Sequence, residues 1–442
     1  MTNVQTLQAL GLSKLRGLGR EFGWIILGNA AAAIGSVVGV RILTELLEPA
    51  AYGQVALGVT VATLANQTVM GPLGNGATRF YAPAVEAKDL GSYLVAVGHL
   101  VLRATGATGL LMLVVLVALF FGHSGWIPIA SIAFLFAILT GWNAILNGIQ
   151  NAARQRSIVA LHQGVEPWAR FLCAGVLVVL CGATGMAAMG GYAAAVALVL
   201  CSQLWFFRQV VPKGAVDIAG ANPWQAKIWE YSWPFVAWGI FGWAQQASDR
   251  WALQLFGSTQ EVGLYAALFQ LGYYPITVVN GLLGQFLAPI FFERSGDATD
   301  IGRNAAVTRL SWRLTLLGLA CTAVAVLTAL AFHTLIFRVL VAGKYAAVSW
   351  LLPWVLLAGG VFAAAQTIAL NLMSQMRTRA MMAAKVVTGV VGIAFNFLFG
   401  RLYGIAGVVL GGVLFSILYF AWMAAIQMRA VSDTSKVGAR VD

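Results

Sequence analysis

Apolar runs of about 20 residues recur from one end of this chain to the other, and nothing constrains its fold more. A helix of that length crosses the roughly 30 Å hydrocarbon core of a bilayer. In hydrocarbon the helix also satisfies its own backbone hydrogen bonds, which an open chain cannot do. Twelve runs can be placed, at about 23–44, 52–72, 104–121, 127–148, 157–181, 186–207, 231–256, 262–287, 311–333, 346–370, 382–402 and 404–427. Hydrophobic residues make up 60% of the 442 positions and charged residues 10%, far from the usage of a soluble globular domain. The expected fold class is an all-α polytopic membrane protein with about twelve transmembrane helices.

Basic loops stay on the cytoplasmic side of a membrane. With both termini inside, twenty-one of the 27 Lys and Arg residues fall in inner segments, four (Arg41, Arg338, Lys344, Arg401) at outer ends, and Arg170 and Arg250 within spans. One missed span would invert every later loop, so this asymmetry supports the count of twelve. The basic N-terminus, MTNVQTLQALGLSKLRGLGREFG, precedes an apolar segment too long for a signal-peptide core, and is expected to form a cytoplasmic, interfacial helix. Orientation and anionic lipid headgroups account for the net charge of +12 without nucleic acid. Cys173, Cys181, Cys201 and Cys321 lie in apolar runs with no CxxC pair, so they predict neither a disulfide framework nor a metal site.

The polar connection RQVVPKGAVDIAGANPWQAKIWE (208–230) divides the runs six and six. RFYAP (79–83) after the second run is echoed by QFLAP (285–289) after the eighth, an offset of 206 residues. Asn147, followed by Arg154, is echoed by Asn371, followed by Arg377 and Arg379, an offset of 224. GMAAMGGYAAA (185–195) opens the sixth run much as GIAGVVLGGVL (404–414) opens the twelfth. Each match is weak alone, but they keep their order. Halves with an even number of spans enter the membrane in the same direction, which predicts a parallel repeat with a pseudo-two-fold along the membrane normal. The expected lobes are 1–210 and 211–442, joined by a cytoplasmic linker at about 208–230, with a central cavity between them.

RILTELLEPAAYGQVAL (41–57), SDRWALQLFGSTQEVGLYAAL (248–268), VAGKYAAVSWLLPWVLLAG (341–359) and LYGIAGVVLGGVLFS (402–416) resemble the polysaccharide transporter family. That family includes Wzx-type O-antigen flippases and belongs to the multidrug/oligosaccharidyl-lipid/polysaccharide (MOP) superfamily. The resemblance extends over nearly the whole chain through loose motifs. It implies two six-helix lobes in a V shape in a bacterial inner membrane. It implies translocation of an undecaprenyl-diphosphate-linked oligosaccharide from the inner to the outer leaflet for O-antigen, capsule or exopolysaccharide synthesis. The expected partners are this lipid-linked oligosaccharide, membrane lipids and an H+ or Na+ coupling ion, with no cofactor. The protein is expected to be monomeric and to associate with polysaccharide polymerase machinery. The chain lacks the spans beyond twelve that lipid II flippases of the superfamily usually carry.

A charge at membrane depth costs at least about 2.5–3.5 kcal/mol on insertion scales, so it faces a cavity or a partner. In QQASDRWALQLFG (245–257), Gln245 and Asp249 share one helical stripe and Gln246 and Arg250 the next. Two readings stand: Arg250 lines a cavity with Asp249 orienting it, or the pair ties two helices together. In HQGVEPWAR, His162, Glu166 and Arg170 follow at i, i+4 and i+8, and Pro167 invites a kink. That constellation is either a neutralised structural knot or a protonatable group near the midplane. A diphosphate substrate calls for fixed cations, with arginine giving forked contacts. The candidates for substrate binding are Arg41, Arg79, Arg170, Arg250 and Lys385; those for ion coupling are Glu166 and Asp249. Tyr273, Tyr274 and Trp243 can stack on sugar faces or serve as packing. No reactive constellation points to an enzyme, since the four histidines are scattered. The rival reading is a cation-coupled multidrug exporter of the same superfamily, which would want acidic residues in the cavity to hold cationic drugs.

Overall fold

The apolar runs are helical along almost their whole length, and most helices overshoot their run because the flanking residues are themselves good helix formers. The computed structural model describes residues 2–211 and 221–438; part of the expected linker, 212–220, lies outside the described residues. The order is α1 (Thr2–Leu46), α2 (Pro49–Ala65), a π turn (Asn66–Met70), α3 (Gly71–Glu86), α4 (Leu90–Phe121), α5 (Ile127–Ala152), α6 (Arg156–Cys181), α7 (Gly185–Phe207), α8 (Ala221–Ser232), α9 (Pro234–Phe256), α10 (Thr259–Ser295), α11 (Ile301–Leu340), a 3₁₀ segment (Gly343–Leu351), α12 (Leu352–Ser374) and α13 (Thr378–Gly438). Among the described residues no strand is present, and nine helices are long and apolar enough to cross a membrane. The twelve runs map onto these elements. α13 carries two of them on either side of a bend at Gly404, where φ is +57°. The second run spans α2, the π turn and the start of α3, and the seventh is α9, whose Gln245–Arg250 stretch lowers its hydropathy.

The chain divides into two compact units, one of residues 1–47 and 54–243, the other of residues 48–53 and 244–442. The sequence pattern places the lobe boundary at 210/211; the compact units divide at Trp243 instead. The reason is local packing. Trp224, Ile228 and Ala221 of α8 join the buried cluster of α3, α4 and α5, Gly239 of α9 lies against the Gln67 carbonyl, and Trp243 Nε1 donates to the Thr60 carbonyl at 2.7 Å.

In the first unit, α1 meets α6 along a stripe of small residues. A Cβ at Gly28, Gly35 or Gly39 would collide with Ala160, Trp168 or Phe171, and such stripes let helix backbones approach closely in membranes. Trp168 Nε1 donates across this seam to the Ala31 carbonyl at 2.9 Å. In the second unit, Pro49–Gly53 crosses the first turn of α10 with the two backbones in close contact. A Cβ on Gly53 would lie 2.0 Å from the Thr259 carbonyl oxygen, and one on Gly263 would lie 1.8 Å from the Pro49 carbonyl oxygen. The crossing is reciprocal, each glycine facing the carbonyl four residues before the other.

The repeat is written into the interior as a recurring amide clamp. Gln203 Nε2 of α7 donates to Asn147 Oδ1 of α5 at 2.7 Å, and Asn371 Nδ2 of α12 donates to Gln427 Oε1 of α13 at 2.7 Å. Both members recur at the same 224-residue offset, so one amide pair ties corresponding helices in each half. Gln203, Asn371 and Gln427 are buried and Asn147 is partly buried. A neutral amide pair suits hydrocarbon, since it gains a hydrogen bond without a charge to desolvate.

Gly263→Val is expected to lower the thermal midpoint of the purified protein by several degrees, because overpacking a backbone crossing costs about 1–3 kcal/mol or more. Gly281→Ala, where nothing lies within 4 Å of the added Cβ, should leave the midpoint unchanged or raise it. Equal midpoints for both variants would refute the crossing. A second expectation concerns α8, which docks through Trp224 Nε1 donating to Asp89 Oδ2 at 2.7 Å. The Ser92 hydroxyl and the Trp224 indole hold the Asp89 carboxyl below its ordinary value. A depressed carboxylate contributes its stability above the unfolded-state pKa and loses it as pH falls through the folded value. Docking of α8 should therefore be constant at neutral pH and loosen only below about pH 4, and Asp89→Asn should remove that acid dependence in proteolysis of the 208–221 connection.

Candidate functional site

The second unit builds its charged cluster on α9 and α10. Asp249 and Arg250 are neighbours on α9, so their side chains leave the helix about 100° apart, and Arg250 folds back onto its neighbour. Its Nη1 donates to Asp249 Oδ1 at 3.1 Å, to Oδ2 at 3.3 Å and to the Gln246 carbonyl at 3.2 Å. The Tyr265 hydroxyl of α10 donates to Asp249 Oδ2 at 2.8 Å. Asp249 is 7% exposed, so every acceptor bond it receives counts against the cost of burying its charge. The guanidinium carbon lies 4.5 Å from the centroid of Phe269 and 5.8 Å from that of Tyr265, within cation–π range. Tyr265, Phe269 and Tyr273 follow at i, i+4 and i+8 on one face of α10. Tyr273 stacks on Phe269 at 4.9 Å, and Phe362 of α12 packs beyond it.

The first unit repeats the chemistry with other residues. Arg170 Nη2 donates to Glu166 Oε1 at 3.1 Å, one turn back on α6. The Arg170 guanidinium lies 5.9 Å from Phe136 of α5 and 5.7 Å from Tyr192 of α7. Each unit therefore holds a carboxylate and an arginine on one helix, with the arginine over two aromatic rings of neighbouring elements. His162 does not join its pair: its ring bonds the Ile158 carbonyl at 2.8 Å and the Ser202 hydroxyl at 3.1 Å. α6 runs as one assigned helix through Pro167.

The remaining candidates are separate from these clusters. Arg41 pairs with Glu45 at 3.1 Å on an exposed face, a contact of small energetic weight. Arg79 is exposed, 6.0 Å from the Phe80 ring. Lys385, half-buried on α13, makes no side-chain hydrogen bond or ion pair among the described residues. Arg41, Arg79, Glu166 and Arg170 lie in the first unit, and Asp249, Arg250 and Lys385 in the second. Trp243 and Tyr273 are engaged in packing contacts. Sequence reasoning missed Tyr265 as the hydroxyl partner of Asp249; its signal was the aromatic spacing 265, 269, 273. Chemically, an arginine lying over an aromatic ring can still present an N–H edge that its carboxylate does not use to phosphate or carboxylate oxygens.

Removing one partner of a buried pair leaves a charge uncompensated, at a cost of about 3–5 kcal/mol. Asp249→Ala is thus expected to reduce folded protein in the membrane sharply, and Asp249→Ala/Arg250→Met should restore it, since the double variant leaves no charge behind. Abundance measured by gel fluorescence checks this; a double variant as depleted as the single one would show that the pair is not the source of the loss.

No curated protein matches this chain in sequence. Solved structures match its fold. The lipid II flippase MurJ in an inward closed conformation aligns over 91% of this chain and 86% of its own, with a TM-score of 0.66 and 13% identity. An inward-facing multidrug resistance MATE family transporter of the MOP superfamily aligns over 93% and 95%, with a TM-score of 0.61 and 14% identity. An outward-facing MATE transporter aligns over 93% and 96%, with a TM-score of 0.58 and 15% identity. At such identities the likeness is one of fold alone. In sequence, residues 18–295 match the family described as polysaccharide biosynthesis protein; the match covers more than half of the chain, and the chain belongs to that family.

Proposed function

We propose that this protein is a flippase that moves an undecaprenyl-diphosphate-linked oligosaccharide from the inner to the outer leaflet of a bacterial inner membrane. The glycan would serve a surface polysaccharide such as O-antigen, capsule or exopolysaccharide. Family membership and a fold shared with a lipid II flippase support the reading. The observation that carries it is electrostatic. Both deep carboxylates, Glu166 and Asp249, are paired with arginines at 3.1 Å, so neither offers a bare negative charge to a cationic drug, while the arginines offer N–H groups to a phosphate. In this reading Arg250 holds the diphosphate, with Arg41, Arg79, Arg170 and Lys385 as further cations along its route. Glu166 and Asp249 couple transport to H+ or Na+ through alternating access. The duplicated halves are 1–210 and 211–442, and the basic residues put both termini in the cytoplasm.

In cells lacking the protein, undecaprenyl-diphosphate oligosaccharide is expected to accumulate on the cytoplasmic leaflet while a surface polysaccharide disappears. Arg250→Lys, which keeps charge but loses the fork, should restore the glycan partly, Arg250→Ala hardly at all, and Glu166→Gln without dependence on an imposed ion gradient. Normal surface glycan with raised sensitivity to cationic dyes in the deletion strain would establish the multidrug exporter instead.

A further inference from the structure

Arg250 uses only part of its guanidinium on the protein. Its contacts with Asp249 and with the Gln246 carbonyl all run through Nη1. Nε and Nη2 take no hydrogen bond among the described residues, yet they are not among the polar atoms sealed from solvent. These two nitrogens form one of the two forked edges of a guanidinium, the edge that meets two oxygens of a phosphate side on.

Three contacts fix the plane in which that edge lies. Phe269 supports the guanidinium from one face at 4.5 Å and is itself held by Tyr273, stacked at 4.9 Å with rings 18° apart. Asp249 grips Nη1, and its Oδ1 also accepts from the Arg250 backbone N–H at 2.6 Å. Tyr265 is the third. Its hydroxyl occupies Asp249 Oδ2 at 2.8 Å from the neighbouring helix. An aspartate held only by the residue next to it could rotate about χ2 and carry the arginine with it. Tyr265 anchors that carboxylate to α10, the helix that also supplies Phe269.

We propose that Tyr265 is a positioning residue: through Asp249 it holds Arg250 so that the Nε–Nη2 edge stays open as the docking edge for one phosphate of a diphosphate substrate. This rests on the reading of Arg250 as the diphosphate ligand. Preorganisation of this kind raises affinity by removing the ordering that binding would otherwise require. The hydroxyl acts at one remove, so its loss costs less than loss of the arginine. Conversely, Phe in place of Tyr265 keeps the ring that packs against the guanidinium at 5.8 Å and against Phe269 at 6.1 Å.

The test measures binding of farnesyl diphosphate, with farnesol as the uncharged control, to the purified full chain in lipid nanodiscs, alongside thermal unfolding. Tyr265→Phe is expected to weaken farnesyl diphosphate binding about 5- to 10-fold, less than the roughly 10-fold or more of a lost hydrogen bond made directly to a charged group, with farnesol binding unchanged. Arg250→Ala should abolish the preference for the diphosphate. If Arg250→Ala weakens diphosphate binding but Tyr265→Phe leaves it at the wild-type value, the positioning role of Tyr265 is overturned and the diphosphate reading stands. If Arg250→Ala itself leaves it unchanged, the docking edge fails together with that reading. A Tyr265→Phe loss that is equal for farnesol and farnesyl diphosphate also overturns the proposal, since it would mark general damage to the fold.

Discussion

Within hydrocarbon a polar group finds its partner in the protein or goes without, and the interior of this chain is organised around that condition. Helices satisfy the backbone. Hydroxyls turn back on the helix that bears them, as Thr44 does to Val40, Thr108 to Ala104 and Thr388 to Ala384. Longer amides pair across helices in the Asn147–Gln203 and Asn371–Gln427 clamps. Arg170 and Arg250, whose charges are the most costly to bury, take a counter-charge on their own helix and aromatic faces from neighbouring helices.

The two arginine clusters follow from the same condition and carry the functional reading. A carboxylate neutralises the arginine, which lowers the cost of keeping it in the membrane. Aromatic rings support it without using its N–H groups. In the proposed reading a cation held as Arg250 is remains available to a phosphate, whereas one enclosed by several carboxylates would not. The clusters use different spacings, i and i+4 for Glu166 and Arg170, adjacent positions for Asp249 and Arg250, and different ring donors. The chemistry recurs while the residues that supply it do not align across the repeat.

How far this could be read beforehand depended on the range of the interaction. The pairing of Glu166 with Arg170 was legible because one helical turn brings them together whatever else surrounds them. Asn147 and Asn371 were legible as repeat markers, but their partners Gln203 and Gln427 were not, since nothing along 56 residues of intervening chain states which helices become neighbours. His162 lies on the stripe of Glu166, yet the position of α7 gave its ring to Ser202. Tyr265 was hidden for the same reason, its tie to Asp249 crossing from α10 to α9.

Hydropathy and charge by themselves determined that the chain is helical, that many of its helices are long and apolar enough to cross a bilayer, and which few charges would fall within the apolar runs. These follow from transfer free energies and helical periodicity, which act on each segment alone. Only tertiary structure decided where the compact units divide, because α8 and the start of α9 pack on α2 to α5. It also decided that Gly53 and Gly263 mark a backbone crossing, and which aromatic rings support each arginine. Contacts of that kind exist only once helices distant in sequence have been packed side by side, at distances set by the small residues between them.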